Sequence, residues 1–334
     1  MEWTRSAKKK LASRLRALKP FDPYHSPLCT CPPKLTLNVY TGCGFECLYC
    51  YTSTYSCGRW GRDSAAWGPR ADVIANVERD LARMDGDEAL RELKRLPVVL
   101  SLSSDPYPDT PRVSEAELGL TRRCIQVLAE AGCSLLIQTK SDLVVRDLDV
   151  LPLGRTVVGL TITTLEPALA QRLEPYAPPP ARRLAALAEA AGRGFATLCR
   201  IDPLVPGMTD GRDQVEALLK RLAAAGVNQV VSSTFKKRRD SAARFARRCP
   251  EPAAASEHLY ERTERSGYRY LIEPERRWRM EMVAALAGAH GLAFSCCREG
   301  LPELNTAACD GQDWLGSAGP GRRNLSGERR GVGR

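Results

Sequence analysis

Three cysteines in one short loop carry the strongest chemical signal in this 334-residue chain: Thr41-Gly-Cys43-Gly-Phe-Glu-Cys47-Leu-Tyr-Cys50-Tyr51. The spacing C-x3-C-x2-C gathers three thiolates in a single tight loop, with Gly42 and Gly44 permitting the turns. A structural zinc site wants four ligands, commonly from paired C-x2-C knuckles. Three thiolates around a [4Fe–4S] cluster instead leave one iron open for a substrate or cofactor. The loop follows a β-type run, Leu35–Tyr40, and in α/β folds chemistry gathers at the C-terminal ends of strands. A zinc loop or a simple redox cluster is the competing reading.

The chain holds 13 cysteines, and with no export signal in view metal binding or catalysis outranks a disulfide framework. Cys296, Cys297 and Cys309 stand in Ser295-Cys-Cys-Arg-Glu299 and Ala308-Cys-Asp310-Gly311. With Cys29 or Cys31 they would complete four ligands for a second iron–sulfur cluster or a zinc site. No C-x2-C knuckle supports this, so a metal site and plain thiols stand level. Cys124, Cys133 and Cys199 lie in apolar segments and read as core packing, while Cys57 and Cys249 have no assignment. His25, His258 and His290 are scattered, which leaves no histidine-based catalytic constellation. Arg200 and Asp202, at the end of the fifth strand, would face a pocket mouth as substrate contacts or as a structural ion pair.

Alternating segments must position these groups. Strand-like runs at Leu35–Tyr40, Pro97–Leu102, Ser134–Gln138, Thr156–Thr163, Phe195–Ile201 and Val227–Ser232 are separated by helical stretches at Ala71–Leu96, Ser114–Ala131, Ala181–Ala191 and Asp213–Ala225. Six strands so separated predict parallel βαβ units with right-handed crossovers. Glu275–His290 reads as a further helix and Leu292–Ser295 as a last strand. Trp3, Ala7, Leu11, Leu15 and Leu18 predict a basic amphipathic helix over 3–18, stopped by Pro20. Residues 1–33 are thus expected to be helix and proline-rich arm, 34–240 an α/β unit, 241–315 an extension, and 316–334 a disordered basic tail.

The net charge of +10 is unevenly placed: residues 1–19 carry +6 and residues 316–334 carry +4, so the body between them is neutral. The ends steer toward anions without implying a reading surface. One interior cluster remains, Lys236, Lys237, Arg238, Arg239, Arg244, Arg247 and Arg248 around Asp240, either a solvated helix face or a phosphate-contacting strip. No apolar run reaches the ~18 residues of a membrane span, and the first 19 residues lack a secretory signal. A soluble, cytoplasmic protein is expected.

The cysteine spacing after the first strand resembles the radical S-adenosylmethionine (SAM) enzymes. Further motifs in order, Leu100-Ser-Leu-Ser-Ser-Asp105-Pro-Tyr107, Leu120-Thr-Arg, Gln138-Thr-Lys140-Ser, Val145-Arg-Asp147-Leu, Leu173-Glu-Pro175 and Ile201-Asp-Pro203-Leu, resemble the spore photoproduct lyase-like group of DNA-repair-photolyase relatives. The likeness spans residues 34–235. It implies a partial (β/α)6 barrel with a [4Fe–4S] cluster on Cys43, Cys47 and Cys50 at its mouth. The open iron would chelate SAM, and an electron from a donor such as flavodoxin or ferredoxin would release a 5′-deoxyadenosyl radical. It further implies that Ser104 and Lys140 meet the SAM carboxylate, Thr161 the ribose and Tyr49 the adenine. Tyr51 matches the group's relay tyrosine, but Leu102 stands where the lyase has its hydrogen-donating cysteine.

These residues predict a radical SAM enzyme whose radical generator matches the group and whose repair reaction does not. The substrate is a nucleic acid if the basic ends and residues 236–248 bind it. It is a peptide or small molecule if Leu102 and a second cluster define the chemistry. From another class, a non-enzymatic iron–sulfur or zinc protein would use its basic ends to hold nucleic acid.

Overall fold

Short apolar runs buried on both faces suit parallel strands covered by helices, and the chain arranges them in strict sequence order. A computed structural model of the protein describes residues 11–21, 28–52, 68–111, 113–261 and 267–316. One eight-stranded sheet dominates it: β1 (Lys19–Pro20), β2 (Leu35–Leu37), β3 (Val98–Leu100), β4 (Leu135–Thr139), β5 (Thr156–Thr161), β6 (Ala196–Leu204), β7 (Gln229–Thr234) and β8 (Ala293–Cys296). Strands β2 to β8 pair parallel, each with the next, and β1 closes the edge antiparallel to β2. Strands β2 to β7 are the six of the sequence pattern. The extension adds a seventh parallel strand, β8, to the same sheet.

The crossovers carry α1 (Val73–Gly86), α2 (Glu88–Lys94), α3 (Leu120–Glu130), α4 (Pro167–Leu173), α5 (Pro180–Gly192), α6 (Arg212–Ala224), α7 (Arg239–Arg248) and α8 (Glu273–Ala289). The single helix expected over Ala71–Leu96 is broken at Asp87, whose backbone is extended and whose carboxylate accepts from Ala89 N at 3.0 Å. That side-chain bond is an N-cap, so the chain restarts a helix there.

Strand periodicity sorts the side chains into two bodies. Val98, Leu100, Leu135, Ile137, Val158, Leu160, Cys199, Ile201, Val230, Phe294 and Cys296 point outward and pack under α1, α3, α5, α6 and α8 in the main core. The alternate residues Val99, Leu136, Val157, Leu198 and Val231 point inward and meet Cys309 and, at the margin, Trp314. The C-terminal loop therefore fills the inner face of the sheet. It is held by Gln229, which donates to Ala308 O at 2.8 Å and accepts from Trp314 Nε1 at 2.9 Å.

At the N-terminus the helix expected to reach residue 18 ends at Arg14. The buried Asp80 carboxylate accepts from the backbone N–H of Arg16, Ala17 and Leu18 at 2.7–2.9 Å, which turns the chain into β1 before Pro20. Residues 3–10 of that helix, and the tail expected beyond 316, lie outside the described residues.

Candidate active site

Continuing the inward parity past the apolar layer brings polar residues to the C-terminal strand ends: Gln138 and Lys140 on and after β4, Thr161 on β5, Arg200 and Asp202 on β6, Ser233 on β7. All line one cavity of about 270 Å³, and Cys43, Cys47 and Cys50 line it too.

The cysteine loop is fixed from several sides. Tyr40–Thr41 pairs antiparallel with Gly68–Pro69. Leu48 N donates to Leu173 O at 2.9 Å, and the Arg244 guanidinium donates to Cys50 O at 3.0 Å. Gly42 takes φ 78°, as the turn requires. Gly44 serves differently, because a Cβ there would stand 2.4 Å from Thr110 Oγ1. Burial pushes the Cys43 thiol well up and the Cys47 thiol to about 12, so ligation here would release protons. Among the described residues no three His, Cys, Asp or Glu side chains close around a single-ion position.

Beside the thiols stands a buried polar network that the sequence pattern hid. Glu174 is enclosed between the Tyr49 hydroxyl, which donates to it, the Arg183 guanidinium and Thr163 Oγ1 at 3.3 Å. Burial would raise the Glu174 pKa, but the Arg183 and Lys140 charges and the Tyr49 hydrogen bond hold it below the ordinary glutamate value. Lys140 Nζ lies 5.5 Å from the centroid of the buried Tyr49 ring. Burial would lower its pKa, but the nearby Cys47 and Glu174 raise it, which keeps the ammonium charged at neutral pH. Asp105 ties two strand ends together, accepting from Tyr107 N at 2.9 Å, Thr139 Oγ1 at 2.5 Å and Lys140 N at 2.9 Å. Burial outweighs these bonds and raises its pKa.

The expected SAM-contacting residues thus share the cavity: Tyr49, Ser104, Lys140 and Thr161. The hydroxyls of Ser104 and Ser101 are buried and have no hydrogen-bond partner among the described residues. Two orphaned donors and a charged ammonium line the same cavity, and this donor set fits the carboxylate of an amino-acid end such as that of SAM. Tyr51 is 36% exposed, and its hydroxyl donates to Leu102 O at 2.6 Å. Leu102 lines the cavity. Arg200 and Asp202 form an ion pair at 2.5 Å, and Ser233 Oγ donates to Asp202 at 2.5 Å.

The cysteines of the two ends divide. Cys29, Cys31, Cys297 and Cys309 line the cavity, whereas Cys296 does not. Adjacent residues on a strand face opposite ways, so Cys296 points into the outer core and is withdrawn from the candidate ligand set.

The basic cluster at 236–248 is largely engaged within the fold. Lys236 pairs with Glu299 at 2.7 Å, Lys237 with Glu257 at 2.9 Å and Arg244 with Asp240 at 3.4 Å, while Arg238 stacks 4.5 Å over the Tyr268 ring. Arg239, Arg247 and Arg248 remain exposed on α7.

The sequence pattern quoted Asp105 and Glu174 inside motifs but gave them no role, and Arg183 carried no signal at all. Their partners come from other crossovers, which spacing along the chain does not reveal.

The family model of the radical SAM superfamily matches residues 37–222. An uncharacterized protein of Methanocaldococcus jannaschii is 30% identical over 202 residues, covering 59% of this chain and 69% of its own. An uncharacterized protein of Mycobacterium tuberculosis is 28% identical over 273 residues, covering 78% and 76%. Among solved structures, a mutant spore photoproduct lyase with bound AdoMet and dinucleoside spore photoproduct shares the fold at TM-score 0.60 and 15% identity, over 78% of this chain and 75% of that one.

Proposed function

The chain belongs to the radical SAM superfamily, and we propose that it is an enzyme in which Cys43, Cys47 and Cys50 hold a [4Fe–4S] cluster and this cavity binds SAM. When bound, the pair supplies one-electron cleavage of SAM to methionine and a 5′-deoxyadenosyl radical, which takes a hydrogen atom from the substrate. The observation that carries the reading is the convergence, in one cavity, of the three loop thiols with Lys140 and the two orphaned serine hydroxyls.

Each side chain has a defined task. Lys140, still charged although enclosed, offers a point charge to the SAM carboxylate, and Ser104 donates a hydrogen bond to it. Asp105 holds the Lys140 backbone, and so fixes where that charge stands. Thr161 faces the ribose; its own carbonyl accepts from Arg183 at 3.0 Å, which sets the end of β5. Tyr49, tethered through its hydroxyl to Glu174, presents its ring to the adenine. Val99, Leu102, Phe45 and Phe235 give the cavity apolar walls that exclude water from a radical reaction.

Leu102 has no hydrogen atom to give cheaply, so the hydrogen return from this position that marks thiol-mediated repair of a DNA lesion does not carry over to this chain. A peptide or small-molecule substrate is the reading favoured by this and by the internal pairing of Lys236, Lys237 and Arg244. A nucleic acid held by Arg239, Arg247, Arg248 and the chain ends is the alternative. An external reductant of the flavodoxin or ferredoxin kind delivers the electron in either case. No helix among the described residues is long and apolar enough to cross a membrane.

The test is anaerobic reconstitution with iron and sulfide, reduction with dithionite, and measurement of 5′-deoxyadenosine from SAM. Wild type should form it, and Cys43→Ala, Cys47→Ala and Cys50→Ala should each form none. Undiminished product from any of the three would remove the assignment.

A further inference from the structure

Four thiols that the cysteine loop does not use meet on the wall of the same cavity. They come from the two ends of the described chain, Cys29 and Cys31 before β2 and Cys297 and Cys309 after β8. Cys31 Sγ lies 3.8 Å from Cys309 Sγ. The Cys29 thiol contacts that of Cys31, and the Cys297 thiol that of Cys309. All four are free cysteines, and 3.8 Å is far beyond the ~2.05 Å of a disulfide.

The fold takes pains to bring these segments together. Strand parity turns Cys297 inward. The arm is stitched to the C-terminal loop by Gly300 N to Leu28 O at 3.2 Å, Gln312 Nε2 to Pro33 O at 3.3 Å, and the buried ion pair of Lys34 with Asp310. Asp313 accepts from Ala308 N at 2.6 Å, which sets the residue before Cys309. Lys34 and Arg200 both act electrostatically on the Cys31 thiol, and Arg200 acts on Cys297 as well. A buried packing cysteine of this protein looks different: Cys199 and Cys296 sit in the outer apolar core, away from the cavity.

We infer that Cys29, Cys31, Cys297 and Cys309 are the four thiolate ligands of a second iron–sulfur cluster on the wall of the active-site cavity. The ligand number is that of a complete cluster, with no open position left over. The contacts run in series, Cys29 to Cys31 to Cys309 to Cys297, and no three donors close around a single-ion position. A single zinc at about 2.3 Å from each sulfur would hold all six thiol pairs about 3.8 Å apart, whereas the contacts here join only three of the six, so a centre of more than one metal atom fits the open series better. Ligation converts the four thiols to thiolates and releases their protons, with Lys34 and Arg200, each also paired with a carboxylate of Asp310 or Asp202, beside them. The site does not depend on the assignment of the Cys43 loop. Its place in the cavity wall means that a bound substrate borders both centres.

The test compares three reconstituted full-length proteins: wild type, the Cys43/Cys47/Cys50→Ala triple variant and the Cys297→Ser/Cys309→Ser double variant. Iron, acid-labile sulfide and zinc are counted, with absorption and electron paramagnetic resonance spectra of the reduced proteins. The triple variant should keep iron and sulfide with a cluster spectrum. The double variant should lose that same increment and keep the wild-type far-UV circular dichroism spectrum, which shows that it is folded. Cys296→Ala should leave the iron count unchanged. A triple variant without iron, one holding only zinc, or a double variant with wild-type iron would each overturn the inference. So would a Cys31–Cys309 disulfide found by mass spectrometry in anaerobically prepared protein. Failure of the Cys43 loop as a cluster site would show differently, as a triple variant that keeps all of the wild-type iron.

Discussion

Replacing Glu174 by glutamine tests whether the buried network behind Tyr49 and Lys140 is electrostatic. Both Glu174 and Arg183 have side chains only 1% exposed, and their charges pair closely. Glu174 Oε2 makes no hydrogen bond of regular geometry, so the pair is held as charge against charge. Glutamine keeps an acceptor for the Tyr49 hydroxyl and removes only the charge. That leaves the Arg183 guanidinium buried and unpaired, a loss worth about 3–5 kcal/mol. At about 1.4 °C per kcal/mol for a chain of 334 residues, the melting temperature should fall by about 4–7 °C. Arg183→Met in the same background removes the stranded charge, and the double variant should recover most of the loss. The pH dependence has a definite sign. The folded-state pKa of Glu174 lies below its ordinary 4.5, so the stabilisation is fully present above 4.5 and is lost as the pH falls through the lower folded value. The wild-type advantage over Glu174→Gln should therefore hold from neutrality down to that range and then shrink. Differential scanning calorimetry of both singles and the double is the assay. A fall under about 2 °C for Glu174→Gln, or singles that simply add in the double variant, would refute the argument.

Three further outcomes follow from other parts of the structure. Lys140→Met should weaken SAM binding by about 10- to 100-fold, the worth of one charged hydrogen bond, with iron content unchanged; calorimetric titration of the reconstituted protein measures it. Asp80→Ala strips the acceptor from three backbone N–H groups at the entry to β1 and should cost about 2–3 kcal/mol by urea unfolding. The same variant should become sensitive to proteolysis near residue 15. Iron uptake by the apoprotein should quicken as pH rises through neutrality, because the Cys43 and Cys47 thiols must ionise and burial holds both above the ordinary thiol value. Uptake that is flat with pH would show that thiol ionisation does not limit loading.

The strand order and the cysteine loop were legible because each is written locally. A parallel strand buried on both faces is one apolar run, and C-x3-C-x2-C lies within a single turn of chain. What lay hidden depends on residues that meet only after crossovers. Nothing around Glu174 or Arg183 announces that each is the other's partner, and the basic run at 236–248 read as surface because Glu257 and Glu299, which neutralise two of its lysines, lie downstream. The same blindness extended Ala71–Leu96 through Asp87, where one carboxylate capping one N–H outweighs helical periodicity.

The pair Cys296-Cys297 shows how little more was needed. Composition treats the two as one feature, and both entered the candidate ligand set. The period of a strand does not: once Phe294 is committed to the outer core, Cys296 must join it and Cys297 must face the cavity. Leu292–Ser295 was already legible as a strand, yet parity cannot be applied until a neighbouring residue is anchored to one face. Pairing Val230 with Phe294 in the parallel register of β7 and β8 provides that anchor. Long-range register, a property of the sheet and not of the segment, is thus what separates a packing cysteine from a cavity-lining one a residue away.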